Sequence, residues 1–65
     1  MNEPFKITLE AARVNAGYKQ KEAAKKLEIS PSTLGKYEAR TSYPNMKMIA
    51  KMEELYQISK DNIRW

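Results

Sequence analysis

Gln20-Lys21-Glu22-Ala23-Ala24-Lys25-Lys26-Leu27-Glu28-Ile29-Ser30-Pro31-Ser32-Thr33-Leu34-Gly35-Lys36-Tyr37-Glu38 holds two helical patterns with almost nothing between them. Gln20, Ala23, Ala24 and Leu27 recur at helical spacing and predict a helix over 20–27. Ser30-Pro31 reads as an N-cap followed by proline at the first helical position, which predicts a helix over 31–38 with Leu34 and Tyr37 inward. Only about three residues join the two, so they must cross steeply rather than run antiparallel. A steep crossing needs a small residue where the backbones approach, and Ala24 supplies it. Leu27, Ile29, Leu34 and Tyr37 are the apolar residues that fill the angle. Counted from Gln20, small or apolar residues fall at positions 4, 5, 8, 10, 15 and 18.

Outward from this unit the periodicity stays helical. Phe5, Leu9, Ala12 and Ala16 share one face and predict a helix over 6–16, closed by Gly17. Ala39 to Pro44 is a polar loop. Asn45 can cap a helix over 46–56 whose inner stripe is Met46, Ile49, Met52, Leu55 and Tyr56, with Met48 nearer the surface. Ser59 can cap a last short helix over 60–64 with Ile63 inward. Val and Ile form no alternating runs, so no strand is expected. The expectation is an all-α domain of five short helices spanning residues 1–65.

Composition narrows the function. Twelve Lys and Arg against eight Asp and Glu give a net charge of +4 over 65 residues. Histidine and cysteine are both absent, which removes disulfides, thiol nucleophiles, imidazole bases and the commonest metal ligands. Asp61 is the one aspartate, and Glu53 and Glu54, as neighbours on a helix, point apart. No glycine-rich phosphate loop is present. Neither an enzyme, a cofactor nor a metal is expected. No apolar run approaches the roughly 20 residues of a membrane span. The start, MNEPFKITLE, lacks a signal-peptide core, so a cytoplasmic protein is expected.

The two helices at 20–38 have the form of a helix-turn-helix unit, and the residues within them resemble those of the phage-repressor (Cro/CI, XRE-type) helix-turn-helix family. Leu9-x-x-Ala12-Arg13-x-x-x-Gly17 is similar to the first helix of that family. Pro44 through Ile49, then Leu55-Tyr56-x-Ile58-Ser59-x-x-x-Ile63, is similar to its last two. The resemblance covers roughly residues 7–63 and implies a five-helix, lambda-repressor-like DNA-binding domain that acts as a transcriptional regulator. Where the family usually has Thr or Ser this chain has Lys19, and where it usually has Gly this chain has Glu28 and Arg40. Pro31 and Gly35 stand where polar residues are common.

The resemblance also assigns candidate DNA contacts. Pro31, Ser32, Gly35 and Lys36 occupy the base-facing positions of the helix that enters the major groove. Ser32 can meet a base or phosphate, and Lys36 can donate to guanine or phosphate. Pro31 offers apolar contact, and Gly35 permits close backbone approach. The plainer alternative is that 31–38 is only a capped, exposed helix face. Gln20 corresponds to a phosphate contact, and Arg40, Thr41, Ser42 and Tyr43 follow in a loop able to reach the DNA backbone. Lys19, Lys21, Lys25, Lys26, Lys36 and Arg40 stand against Glu22, Glu28 and Glu38, a local balance of +3. Arg13 and Glu38 lie on inward stretches and correspond to a structural ion pair. The implied partners are double-stranded DNA and a second copy of the chain, as a homodimer. The alternative function is a protein-interaction module, a modulator of another regulator or an antitoxin, on the same fold. Trp65 is read either as packing back on Leu55 and Ile63 or as a partner contact.

Overall fold

In the computed structural model, which describes residues 6–65, a side chain bonds a main-chain N–H at the start of each helix. Helix α1 (Leu9–Asn15) follows Thr8, whose hydroxyl accepts from the Ala11 N–H at 3.0 Å. Helix α2 (Gln20–Leu27) follows Lys19, which carries no side-chain acceptor. There the Glu22 carboxylate reaches back instead and accepts from the Lys19 N–H at 2.8 Å, the returning half of a capping box. Helix α3 (Pro31–Glu38) follows Ser30, which accepts from the Thr33 N–H at 3.0 Å. Helix α4 (Met46–Tyr56) follows Asn45, which accepts from the Met48 N–H at 2.8 Å.

All four helices end the same way. Gly17, Glu28, Arg40 and Gln57 adopt left-handed backbone, with φ of 88°, 63°, 65° and 56°. The next N–H then turns back to a carbonyl in the last turn: Tyr18 to Arg13, Ile29 to Ala24, Thr41 to Lys36 and Ile58 to Glu53, at 3.0–3.3 Å. This is the six-to-one closure that glycine normally serves. Three of the four residues carry a Cβ, a strain of about 1–2 kcal/mol each.

One apolar cluster joins the elements. Leu9 and Ala12 come from α1, Ala23, Ala24 and Leu27 from α2, Leu34 from α3, and Met52 and Tyr56 from α4, with Ile63 closing it. Ala23 and Ala24 are 0% and 1% exposed, so nothing larger than a methyl fits where α2 meets its neighbours. Leu27 and Leu34 fill the angle between α2 and α3, and Ile29 and Tyr37 pack partly buried around them.

The fold departs from five helices. Residues 7–8 do not begin α1; Ile7–Thr8 is a short strand, β1. It pairs in parallel with β2 (Ile63–Arg64), with Ile7 opposite Ile63 and Thr8 opposite Arg64. Capping by Thr8 fixes the start of α1 at Leu9, and Phe5 lies outside the described residues. The expected last helix is a 3-10 turn, Lys60–Asn62, capped by Ser59 and running straight into β2. Ile63 is buried as expected, but as a strand residue. The stripe on α4 is also rotated: Met46 is 73% exposed, whereas Met48 packs against the core. At 3.6 residues per turn, Met46 sits about 120° round from buried Met52, and Met48 only about 40°. Among the described residues no helix is long and apolar enough to cross a membrane.

Strain at the left-handed ends is open to measurement. We expect Glu28→Gly to stabilise the fold by about 0.5–1 kcal/mol, the relief of strain outweighing the extra freedom glycine gives the unfolded chain. The exposed Glu28–Lys51 contact at 3.4 Å is too solvated to reverse the sign. The denaturant midpoint checks this; a lower midpoint for the glycine variant would refute it.

Candidate nucleic-acid interface

Glu38, at the end of α3, is the residue around which the site is built. Its side chain is only 6% exposed. Oε2 accepts from Arg13 Nε of α1 at 2.7 Å, and Oε1 accepts from Gln20 Nε2 of α2 at 3.0 Å. Arg13 also reaches Oε1 at 3.4 Å, and its remaining guanidinium nitrogen donates to the Tyr18 carbonyl at 2.9 Å. Charge and donors are thus matched in a place that water barely reaches, the condition for holding an ion pair inside a fold. One carboxylate ties together α1, the start of α2 and the end of α3.

That tie sets the rotation of α3. Leu34 and Glu38, four residues apart, face inward, so Ser32, Gly35 and Lys36 share the outer side. Pro31, Ser32 and Lys36 are exposed. Gly35 is half-buried, and a Cβ added there would stand 3.7 Å from Gln20 Nε2. Gln20 therefore lies beside the outer face of α3 with one amide N–H already engaged. The sequence placed Gln20 at the helix start but carried no sign of its bond to Glu38.

The segment after α3 is less free than its composition suggests. Arg40 is the left-handed closing residue, and its Nε donates to the Trp65 main-chain oxygen at 3.1 Å. The Thr41 hydroxyl donates to the Lys36 carbonyl at 3.2 Å. Ser42 is half-buried, and Tyr43 is 70% exposed. Trp65 packs partly on the core, and its indole N–H donates to the Lys60 carbonyl at 3.1 Å.

The charges separate. Glu38 is held by Arg13, Glu28 by Lys51, and Glu22 is turned onto the Lys19 N–H. Lys19, Lys21, Lys25, Lys26, Lys36 and Arg40 are exposed, and none forms an ion pair among the described residues. Only Glu38 is buried with its partner; Glu22 and Glu28 stay exposed, so the surface of the unit carries these six cations against two acids.

Behind the network lies Tyr56, 4% exposed, its ring tilted at 42° to that of Tyr18 with centroids 6.4 Å apart. Its hydroxyl has no hydrogen-bond partner among the described residues. Burial first, and the nearby Glu38 charge second, push this phenol from 10.0 up to about 12.

A helix-turn-helix family model matches residues 9–63. The HTH-type transcriptional regulator ImmR of Bacillus subtilis (strain 168) is 43% identical over 53 residues, which cover 82% of this chain and 42% of that protein. The chain therefore spans less than half the length of this relative. No solved structure matches it at a significant level.

Two outcomes follow from this geometry. Arg13→Met and Glu38→Leu should each cost about 3–5 kcal/mol, because each leaves the other's polar group buried and unpaired. The double variant should lose less than the sum, and strict additivity in chemical denaturation would show that the pair is not coupled. Tyr56 acts at high pH. Its folded pKa exceeds its unfolded one, so its contribution is fully present below pH 10 and is lost as pH rises toward about 12. Tyr56→Phe should remove that loss, so the stability difference between variant and parent should widen in the variant's favour between pH 9 and pH 11 (roughly the flanks of the unfolded value).

Proposed function

Because the chain belongs to the XRE-type helix-turn-helix family, we propose that it binds double-stranded DNA with sequence preference and regulates transcription, as a phage-type repressor does. The observation that carries this reading is the separation of charge in the helix-turn-helix unit. Burial of Glu38 against Arg13 leaves six exposed cations against two exposed acids, Glu22 and Glu28, a net basic surface of the kind a polyanion partner requires. Into the major groove goes α3, with Ser32 and Lys36 toward base edges and Pro31 against a thymine methyl. Gln20, Arg40, Thr41, Ser42 and Tyr43 lie along the flanking phosphates, with Arg40 keeping its terminal guanidinium nitrogens for them. A homodimer would place two such helices about 34–36 Å apart, one turn of the duplex. That role belongs in the cytoplasm.

Tyr43 and Met46, 70% and 73% exposed on either side of buried Pro44, favour a second reading, in which this edge of the fold binds another regulator.

Titrating the purified chain against DNA at several salt concentrations tests both. Affinity should fall with salt with a log–log slope near −0.9 per phosphate neutralised, about −4 to −5 for a dimer making four to six such contacts. Lys36→Ala should cost about 1–3 kcal/mol more on the preferred site than on random DNA. Lys25→Ala should do little to either. No DNA affinity above background at low salt, together with binding to a companion regulator, would replace the first reading with the second.

A further inference from the structure

Gly35 stands inside an eight-residue helix, where glycine weakens helical structure. Nothing in the fold requires it. Its φ is not positive, and a Cβ there would meet a single atom, Gln20 Nε2, at an ordinary contact distance of 3.7 Å. What the missing side chain does is leave Gln20 Nε2, on a half-buried residue, uncovered on the side of α3 that carries Gly35.

The chemistry of that amide is fixed by its neighbour. A carboxylate only accepts, so it is the NH2 end of Gln20 that meets Glu38. Glu38 is in turn locked by Arg13 at 2.7 Å, so the support does not swing. One N–H of Gln20 is spent, and the other N–H and the carbonyl oxygen have no partner among the described residues. An amide presents its oxygen and the N–H cis to it along one edge, the edge left over when the trans N–H is the one spent. Adenine presents the complement in the major groove, an N7 acceptor beside an N6–H donor. Guanine presents two acceptors there, cytosine a donor alone and thymine an acceptor beside a methyl, so none pairs with both atoms.

We propose that Gln20, a residue of α2, reads an adenine across the opening at Gly35, with Glu38 as the positioning residue that holds its amide edge-on. This rests on the reading that α3 enters the major groove, and it gives the two side-chain donors of Gln20 to Glu38 and the base, leaving its main-chain N–H at the start of α2 for the phosphate.

The test selects duplexes from a random pool with the full chain, then measures affinity for the preferred site and its single-base variants. Gln20→Ala should erase a preference for adenine at one base pair, worth about 5- to 150-fold, and leave preferences at other positions in place. Replacing that adenine by 7-deazaadenine, which lacks the N7 acceptor, should weaken the parent protein and leave Gln20→Ala unaffected. Gly35→Leu, a good helix former that covers the amide, should lose the same preference with its helical circular dichroism unchanged. If Gln20→Ala weakens every variant of the site by one common factor, Gln20 touches phosphate alone; the inference is then wrong and DNA recognition stands. If the parent protein enriches no sequence, the DNA reading fails and this one with it.

Discussion

The carboxylate of Glu38 is the constraint from which the rest of the surface follows. Two oxygens receive donors from two other helices, Arg13 of α1 and Gln20 of α2, in a setting almost closed to water. A buried acid without such partners would be costly, so the three helices can meet only in the arrangement that brings both donors to it. Leu34 adds the apolar half of the same anchor, one turn earlier on α3. Fixed at two points four residues apart, α3 cannot roll. The identity of its outer face, Ser32, Gly35 and Lys36, is therefore decided by residues that never face solvent.

A core of so few side chains leaves much to local terms. Among the described residues the buried groups are nine apolar residues, Pro44 and Arg13, and three of the nine are alanines, with Ala23 and Ala24 pressed into the crossing of helices. Helix ends then matter out of proportion to their size, since each cap contributes on the order of 1 kcal/mol in a domain of marginal stability. At the starts the chain uses Thr8, Ser30 and Asn45 directly and substitutes Glu22 where Lys19 offers no acceptor. At the ends it tolerates Glu28, Arg40 and Gln57 in a conformation that favours glycine. Two of these residues return something for the strain: Arg40 bonds the Trp65 main chain, and Gln57 donates to the Glu54 carbonyl at 2.7 Å.

What could be read from the residues, and what could not, divides along the range of the interaction concerned. The bounds of α2, α3 and α4 were legible because periodicity and caps such as Ser30-Pro31 and Asn45 act within a few residues. The left-handed turn at Glu28 was legible through the family pattern. The strand pair was not, because two residues carry no alternation and Ile7 finds Ile63 only after the helices between them have packed. Reading α1 back through residues 6–8 had the same cause: Thr8 is compatible with a helix until its role as cap and strand end is known. Met46 looked like core because a stripe of methionines fits more than one helical phase. On the site side, the outer residues of α3 were legible through the family resemblance, but the bond between Gln20 and Glu38 joins two elements and leaves no mark in either one alone.

The division of charge ties the buried part of the domain to its outside. A net charge of +4 is modest, and the helix-turn-helix unit would be less basic still at its surface if Glu38 were exposed beside its lysines as Glu22 and Glu28 are. Instead Glu38 is neutralised from within by Arg13, a cation belonging to another helix, and Glu28 is met by Lys51 of α4. The cations of the unit thus outnumber the two acids left at its surface. Long, solvated lysine chains attract any polyanion and distinguish little among sequences. Discrimination needs donors and acceptors held still, and on this surface the group held still is the Gln20 amide, pinned by the same carboxylate that fixes α3. The ion pair inside the fold therefore governs both how α3 is presented and which polar edge beside it is held in place.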